Sequence, residues 1–145
     1  VSVRFSKCCS PVPGDEIIGF VTRGRGVSIH RTDCINVLNL QELERRRLID
    51  AEWQDMGAAL SGEKYTTEIK IYANNRTGLL VDISRIFTER NIDMTSINVR
   101  TSKQGMATIT MTFDTRGVEE LNQLIAKLMK VESVIDIERS GNTNL

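Results

Sequence analysis

From Tyr65 onward the hydrophobic positions follow two periods in turn. Tyr65, Thr67, Ile69, Ile71 and Ala73 alternate with Thr66, Glu68, Lys70 and Tyr72, the two-residue period of a strand with one buried face. Asn74-Asn75-Arg76-Thr77-Gly78 supplies turn chemistry, with Thr77 as the expected helix N-cap. Leu79, Ile83, Ile86 and Phe87 then form the apolar stripe of a helix predicted over 78–90, which Asn91-Ile92-Asp93 breaks. Thr95, Ile97, Val99 and Thr101 predict a second strand, and Ala107, Ile109, Met111 and Phe113 a third. Lys103-Gln104-Gly105 joins the two as a hairpin. Val118, Leu121, Leu124, Ile125 and Leu128 make a second helical stripe, and Ile135 and Ile137 a closing strand. The order β-α-β-β-α-β is the split βαβ plan, an antiparallel sheet of four strands with both helices on one face.

The first third of the chain is less regular. Val1 to Phe5 reads as a strand leading into Cys8-Cys9-Ser10-Pro11-Val12-Pro13-Gly14-Asp15, where two prolines and a glycine fix a rigid loop. Glu16 to Thr22 and Val27 to His30 are strand-like, joined at the tip Arg23-Gly24-Arg25-Gly26. Thr32 to Leu48 predicts a helix capped by Asp33, and Ile49, Ala51 and Trp53 alternate as a last strand. Small residues and two glycines in 55–63 predict a linker. The expected organisation is α+β: a small α/β domain over 1–54, the linker, a larger domain over 64–140, and a tail over 141–145.

Composition narrows the function classes. Nineteen basic and nineteen acidic residues cancel over 145, which excludes the strongly basic profile of a sequence-reading nucleic-acid binder. The balance is local, however: Arg4, Lys7, Arg23, Arg25 and Arg31 face only Asp15 and Glu16 within residues 4–31. Apolar residues at 40% and charged ones at 26% fit a soluble globular protein. No apolar run approaches the roughly 20 residues of a membrane span, so no membrane partner is expected. The chain opens on Val-Ser-Val, already strand-like and with no signal peptide, and is expected to be a piece of a longer protein. An odd number of cysteines without a secretory segment points to a reducing, cytoplasmic setting.

All three cysteines and the only histidine lie in the first third. Cys8 and Cys9 sit on the rigid loop, His30 at the end of the hairpin, and Cys34 four residues later. Three thiolates and an imidazole complete a tetrahedral structural zinc shell. The spacing is not that of a standard finger, because adjacent cysteines do not usually ligate together. Two other readings of these residues stay open: ordinary buried thiols with a hydrogen-bonded histidine, and a Cys9–His30 nucleophilic pair. The last lacks a legible orienting carboxylate or oxyanion pocket.

The stretch CCSPVPGDEIIGFVTRGRGVSIHRTDC, Cys8 to Cys34, resembles the zinc-finger or RIS domain of long RelA/SpoT-homologue proteins, which make and degrade (p)ppGpp in the stringent response. Ser10 stands where many members carry a histidine after the cysteine pair. In that family the domain precedes a ferredoxin-like ACT domain, which the βαββαβ order over 64–140 would supply. The resemblance implies a regulatory, non-catalytic region of a GTP pyrophosphokinase or bifunctional synthetase/hydrolase, working on the catalytic N-terminal half of its parent. The hydrolase's His-Asp metal motif is absent, since the only histidine is followed by Arg31. The resemblance further implies docking on ribosomal RNA, for which Arg23, Arg25 and Arg31 are the expected contacts, and zinc at Cys8, Cys9, His30 and Cys34. It also implies a homodimer through the ACT domain and an amino-acid site. Asn74, Asn75, Arg76, Thr77, Gly78 and Leu79 are expected to face Asn91, Ile92, Asp93 and Met94. There the amides of a helix N-terminus would hold a carboxylate, and Leu79 and Met94 would favour a branched-chain amino acid.

Overall fold

A computed structural model describes residues 2–24, 26–54 and 64–141. Arg25, the expected linker and residues 142–145 therefore lie outside the described residues. In the first unit, strands β1 (Val3–Phe5), β2 (Ile17–Val21), β3 (Val27–Arg31) and β4 (Leu48–Asp50) form a sheet in the order β1-β3-β2-β4. β1 runs parallel to β3, and the other pairs are antiparallel.

The helix expected over 32–48 is instead two single turns, α1 (Ile35–Leu38) and α2 (Glu42–Arg45). Asp33 does not cap: α1 starts at Cys34, and Asp33 accepts from Arg31 Nε at 2.8 Å. Gln41 and Glu44 form a reciprocal capping box that starts α2 afresh. Arg45 Nη1 donates to Val37 O at 3.0 Å, satisfying a carbonyl at the end of α1. Leu43 is 73% exposed, so no continuous apolar stripe spans the two turns. Leu48 to Asp50 pairs with β2, and Trp53 lies beyond that strand.

The second unit has the expected order. β5 (Tyr65–Asn74), α3 (Leu79–Glu89), β6 (Met94–Thr101), β7 (Met106–Thr115), α4 (Val118–Leu128) and β8 (Val134–Arg139) build an antiparallel sheet ordered β6-β7-β5-β8. Ile69, Ile71 and Ala73 on β5 and Ala107, Ile109, Met111 and Phe113 on β7 bury one face. Leu79, Ile83 and Phe87 of α3 and Leu121, Leu124 and Leu128 of α4 cover it, at the spacings of a helical stripe. Val12, from the first unit's proline loop, is fully buried in this same core. Phe5, Trp53 and Tyr65 meet at the junction, with ring centroids 5.4–5.7 Å apart.

Candidate functional site

The four expected metal ligands converge. Their ligand atoms all lie within 4.8 Å of one another. Cys8 Sγ stands 3.4 Å from Cys34 Sγ and 3.4 Å from His30 Nδ1, and Cys9 Sγ stands 3.8 Å from that nitrogen. Ligands of a tetrahedral zinc at about 2.1–2.3 Å are roughly 3.5–3.8 Å apart, so these separations fit the ion. A local turn removes the objection to adjacent cysteines. Ser10 N–H donates to Ser6 O at 2.9 Å, closing a turn over residues 7–9 that carries both thiols.

Neighbouring groups serve this centre. Ser28 Oγ lies 3.3 Å from His30 Nε2. With the ring proton on Nε2 and given to Ser28, the Nδ1 lone pair faces the sulfurs, the arrangement metal-bound histidines adopt. The Arg31 N–H donates to Cys9 Sγ at 3.3 Å. Burial opposes ionisation of Cys8, yet hydrogen bonds from Ser6, Asn36 and the other two thiols outweigh it and hold its pKa below the ordinary thiol value. Burial pushes the Cys9 and Cys34 thiols up and His30 down. Without a cation, Cys9 is thus a poorly ionised, fully buried thiol beside a neutral imidazole, the reverse of an activated nucleophile. A dication would stabilise all three thiolates together. The donor set fits a closed structural site rather than a Cys9–His30 catalytic pair.

The expected RNA contacts separate. Arg23 is exposed at the hairpin tip, and Arg25 is outside the described residues. Arg31 is buried, which corrects its assignment as an RNA contact. Its Nε donates to Asp33, and its Nη1 donates to Cys9 O at 2.8 Å, so the guanidinium braces the cysteine loop from inside.

The expected amino-acid site also changes. Residues 74–79 and 91–94 do not face each other within one chain. Asn75 N–H donates to Gly105 O at one end of the sheet, whereas Asp93 O accepts from Asp114 N–H at the other. The eleven residues of α3, about 16 Å long, separate them. Leu79 is a core residue rather than a pocket wall. The helix N-cap is Gly78, with a φ of +82°, not Thr77, and no side chain caps α3. Arg76 is tied to Asp82 at 2.8 Å and to Glu132 O. Asn91, Ile92 and Asp93 line a 240 Å³ cleft with Lys64, Arg90 and Glu120 among its walls, a polar surface instead of the expected apolar one.

Residues 1–54 match the RelA/SpoT RIS domain, and residues 61–139 match the ACT domain. The chain belongs to the RelA/SpoT family. It is 38% identical over 137 residues to the GTP pyrophosphokinase of Escherichia coli K12, covering 94% of this chain and 18% of that protein. It is also 38% identical over 139 residues to the GTP pyrophosphokinase of Streptomyces coelicolor, covering 96% and 16%. The chain thus spans less than a fifth of the length of these relatives. The crystal structure of the ACT domain from GTP pyrophosphokinase of Chlorobium tepidum aligns with a TM-score of 0.48 and 22% identity, over 53% of this chain and 99% of that one.

The RIS domain therefore carries the thiol–imidazole centre and the ACT domain the two separated segments. Among the described residues no helix is long and apolar enough to cross a membrane. Sequence reasoning missed the supporting groups Ser6, Ser28 and Arg31. The alternation of β3 offered a signal for one of them, because Ser28 and His30 point to the same face two residues apart.

Proposed function

We propose that this RIS–ACT chain is the regulatory C-terminal part of a long (p)ppGpp synthetase/hydrolase, working as a dimer that senses an amino acid. The observation that carries the reading is the bare edge of β6. Its residues are exposed throughout, and Ile97 and Val99, 43% and 42% exposed, lie on the helix-bearing face opposite Met111 and Ile109. An exposed apolar edge strand is a template for pairing, and a second copy would cover it. Antiparallel pairing of two β6 strands about a two-fold axis sets Met94 of one copy beside Thr101 of the other. Thr101 leads into the 102–105 turn, which is bonded to Asn75. The dimer would thereby unite residues 74–79 with the other copy's 91–94. The uncapped start of α3 would take the carboxylate, and exposed Met94 an apolar side chain, favouring a branched-chain amino acid.

In the same reading the Cys8, Cys9, His30 and Cys34 centre holds structural zinc, and the exposed Arg23 tip touches ribosomal RNA. That contact would set the balance of synthetase and hydrolase activity in the catalytic half of a cytoplasmic parent. One observation favours a second reading, an ACT module acting through dimerisation without ribosome contact: burial of Arg31 removes one of the three expected RNA contacts.

A backbone NMR titration with valine, leucine, isoleucine and an unrelated amino acid tests the sensor. Shifts concentrated in 74–79 and 91–94, lost together with the dimer in Ile97→Lys, are expected. No shift with any of them removes the sensor and leaves a docking role.

A further inference from the structure

The loop that carries Cys8 and Cys9 does not end within the RIS domain. Its continuation, Ser10 to Asp15, is built into the ACT domain. Val12 is fully buried in the ACT core. Pro13 O accepts the Val118 N–H at 2.8 Å, at the first turn of α4. Gly14 has a φ of +102° and lies so close to Val118 that a Cβ there would collide with it. Arg139, the last residue of β8, grips Asp15 with both terminal guanidinium nitrogens, Nη1 and Nη2, at 2.8 Å. The pair is largely buried, at 16% and 8% side-chain exposure, and Arg139 Nη2 also donates to Ser10 O at 3.2 Å.

The ACT domain also reaches back. Beyond β8 the chain crosses the cysteine centre at Gly141, whose φ is +78°. A Cβ there would stand 2.7 Å from Cys8 O and 2.8 Å from Cys9 Cβ, so only glycine lets the segment lie on the pair. Gly141 O accepts the Ile35 N–H at 3.1 Å, next to Cys34. Residues on both sides of the centre, Cys8–Cys9 and Cys34–Ile35, therefore touch the segment that follows the last strand of the ACT domain.

We propose that the cysteine–histidine centre is a composite site that the end of β8 and the segment directly after it close. Arg139 and Gly141 are its positioning residues, and metal occupancy is coupled through the Ser10–Asp15 loop to the start of α4. The proposal rests on the reading that the centre takes zinc. A metal that fixes the Cys8 and Cys9 sulfurs against Cys34 restrains one end of a short, twice-proline loop, whose other end is a backbone bond to α4. Restraint at one end favours the bonded state at the other, and the coupling is reciprocal. An ACT domain that shifts α4 or β8 would change zinc affinity by the same factor.

Hydrogen exchange on the whole chain, with zinc chloride as the probe, tests this. One equivalent of zinc is expected to slow exchange of the Val118, Leu121 and Ile35 amides by about five-fold or more, the lower end of ordinary coupling between sites. Leu121 is included because its N–H closes the first turn of α4 on Gly117 O. Arg139→Gln is expected to keep zinc uptake, weaken it by a similar factor and lose the response at Val118, with Arg139→Lys recovering part of it. Zinc taken up by the unmutated chain with no change at Val118 and Leu121 overturns the coupling and leaves the metal reading standing. No zinc uptake by the unmutated chain overturns both.

Discussion

Replacing Val12 by alanine tests the junction most directly, because it removes a RIS-domain side chain from the ACT core. Val12 has no exposed surface and packs in one cluster with the residues of β5, β7, α3 and α4. Val12→Ala deletes two methylene equivalents, about 1.5 kcal/mol of transfer free energy. The void that remains adds about 1 kcal/mol, since a packed core relaxes only in part. A loss of roughly 2–3 kcal/mol corresponds to a fall in Tm of about 8–20 °C for a unit of this size. Val3→Ala is the control: Val3 is 60% exposed on β1, and its loss should stay within about 0.5 kcal/mol. Urea unfolding should be followed by far-UV circular dichroism and by fluorescence of Trp53, the chain's only tryptophan. Trp53 Nε1 donates to Asp15 O at 2.9 Å, so its fluorescence reports on the loop that carries Val12. Both signals should shift together. A fluorescence transition that moves while the circular dichroism stays put, or a loss below about 0.5 kcal/mol, refutes the claim that Val12 is an ACT core residue.

Three further outcomes are expected. Cys34→Ser and His30→Ala should each lose most of one equivalent of bound zinc, measured by elemental analysis after gel filtration; unchanged stoichiometry would remove the four-ligand centre. Tyr72 should ionise late, because its bond to Glu138 at 2.6 Å, partial burial and the charges of Glu138 and Asp136 push its pKa from 10 up to about 12. A folded value above the unfolded one means that this stabilisation is complete below pH 10 and is lost as pH rises through 12. Tyr72→Phe should cost about 1 kcal/mol at neutral pH and flatten the stability profile in that window, and a tyrosinate absorbance midpoint near 10 for both tyrosines would contradict it. Charge reversal at Arg23 together with Arg25 should weaken co-sedimentation with ribosomes and leave Tm nearly unchanged; equal binding would sink the RNA contact.

What the sequence shows and what it hides divide along physical lines. The ACT elements were legible because each buries one face, so Ile69-Ile71-Ala73 and Leu121-Leu124-Leu128 carry their periods openly. The convergence of Cys8, Cys9, His30 and Cys34 was legible because a hairpin and its flanking loop bring their residues together. The adjacency of Cys8 and Cys9 looked awkward only because the turn that Ser10 N–H closes on Ser6 O is invisible in the sequence. Arg31 looked like part of a basic patch, but a charge becomes buried or solvated according to partners such as Asp33 and the Cys9 carbonyl, which only folding supplies. The broken helix over 32–48 follows from tertiary demand, as β2 needs Leu48 to Asp50 as its neighbour. Val12 between two prolines reads locally as loop, and nothing nearby in sequence says that its partners lie more than fifty residues away. Sequence order likewise left the opposite ends of α3 undistinguished, which is why 74–79 and 91–94 were expected together.

The size of the RIS core explains why both a neighbouring domain and a metal at the candidate centre would serve it. Among the described residues its buried cluster is Cys9, Cys34 and Val37, with Cys8, Ile18 and Leu48 packed against it, whereas the ACT cluster holds fifteen buried residues. Two of the three buried residues of that cluster are thus thiols of the candidate metal centre, and the same atoms would be core and ligands. A unit of about fifty residues is marginal on apolar burial alone, and metal binding to such a unit contributes directly to its folding free energy. Docking contributes in the same sense, through Val12, the Phe5–Trp53–Tyr65 rings and the Asp15–Arg139 pair. A domain that depends on two outside supports responds to the loss of either. Chelation should therefore shift the RIS transition before the ACT transition, and Arg139→Gln should make the RIS domain more sensitive to chelator while leaving the ACT core residues of β5 and β7 protected.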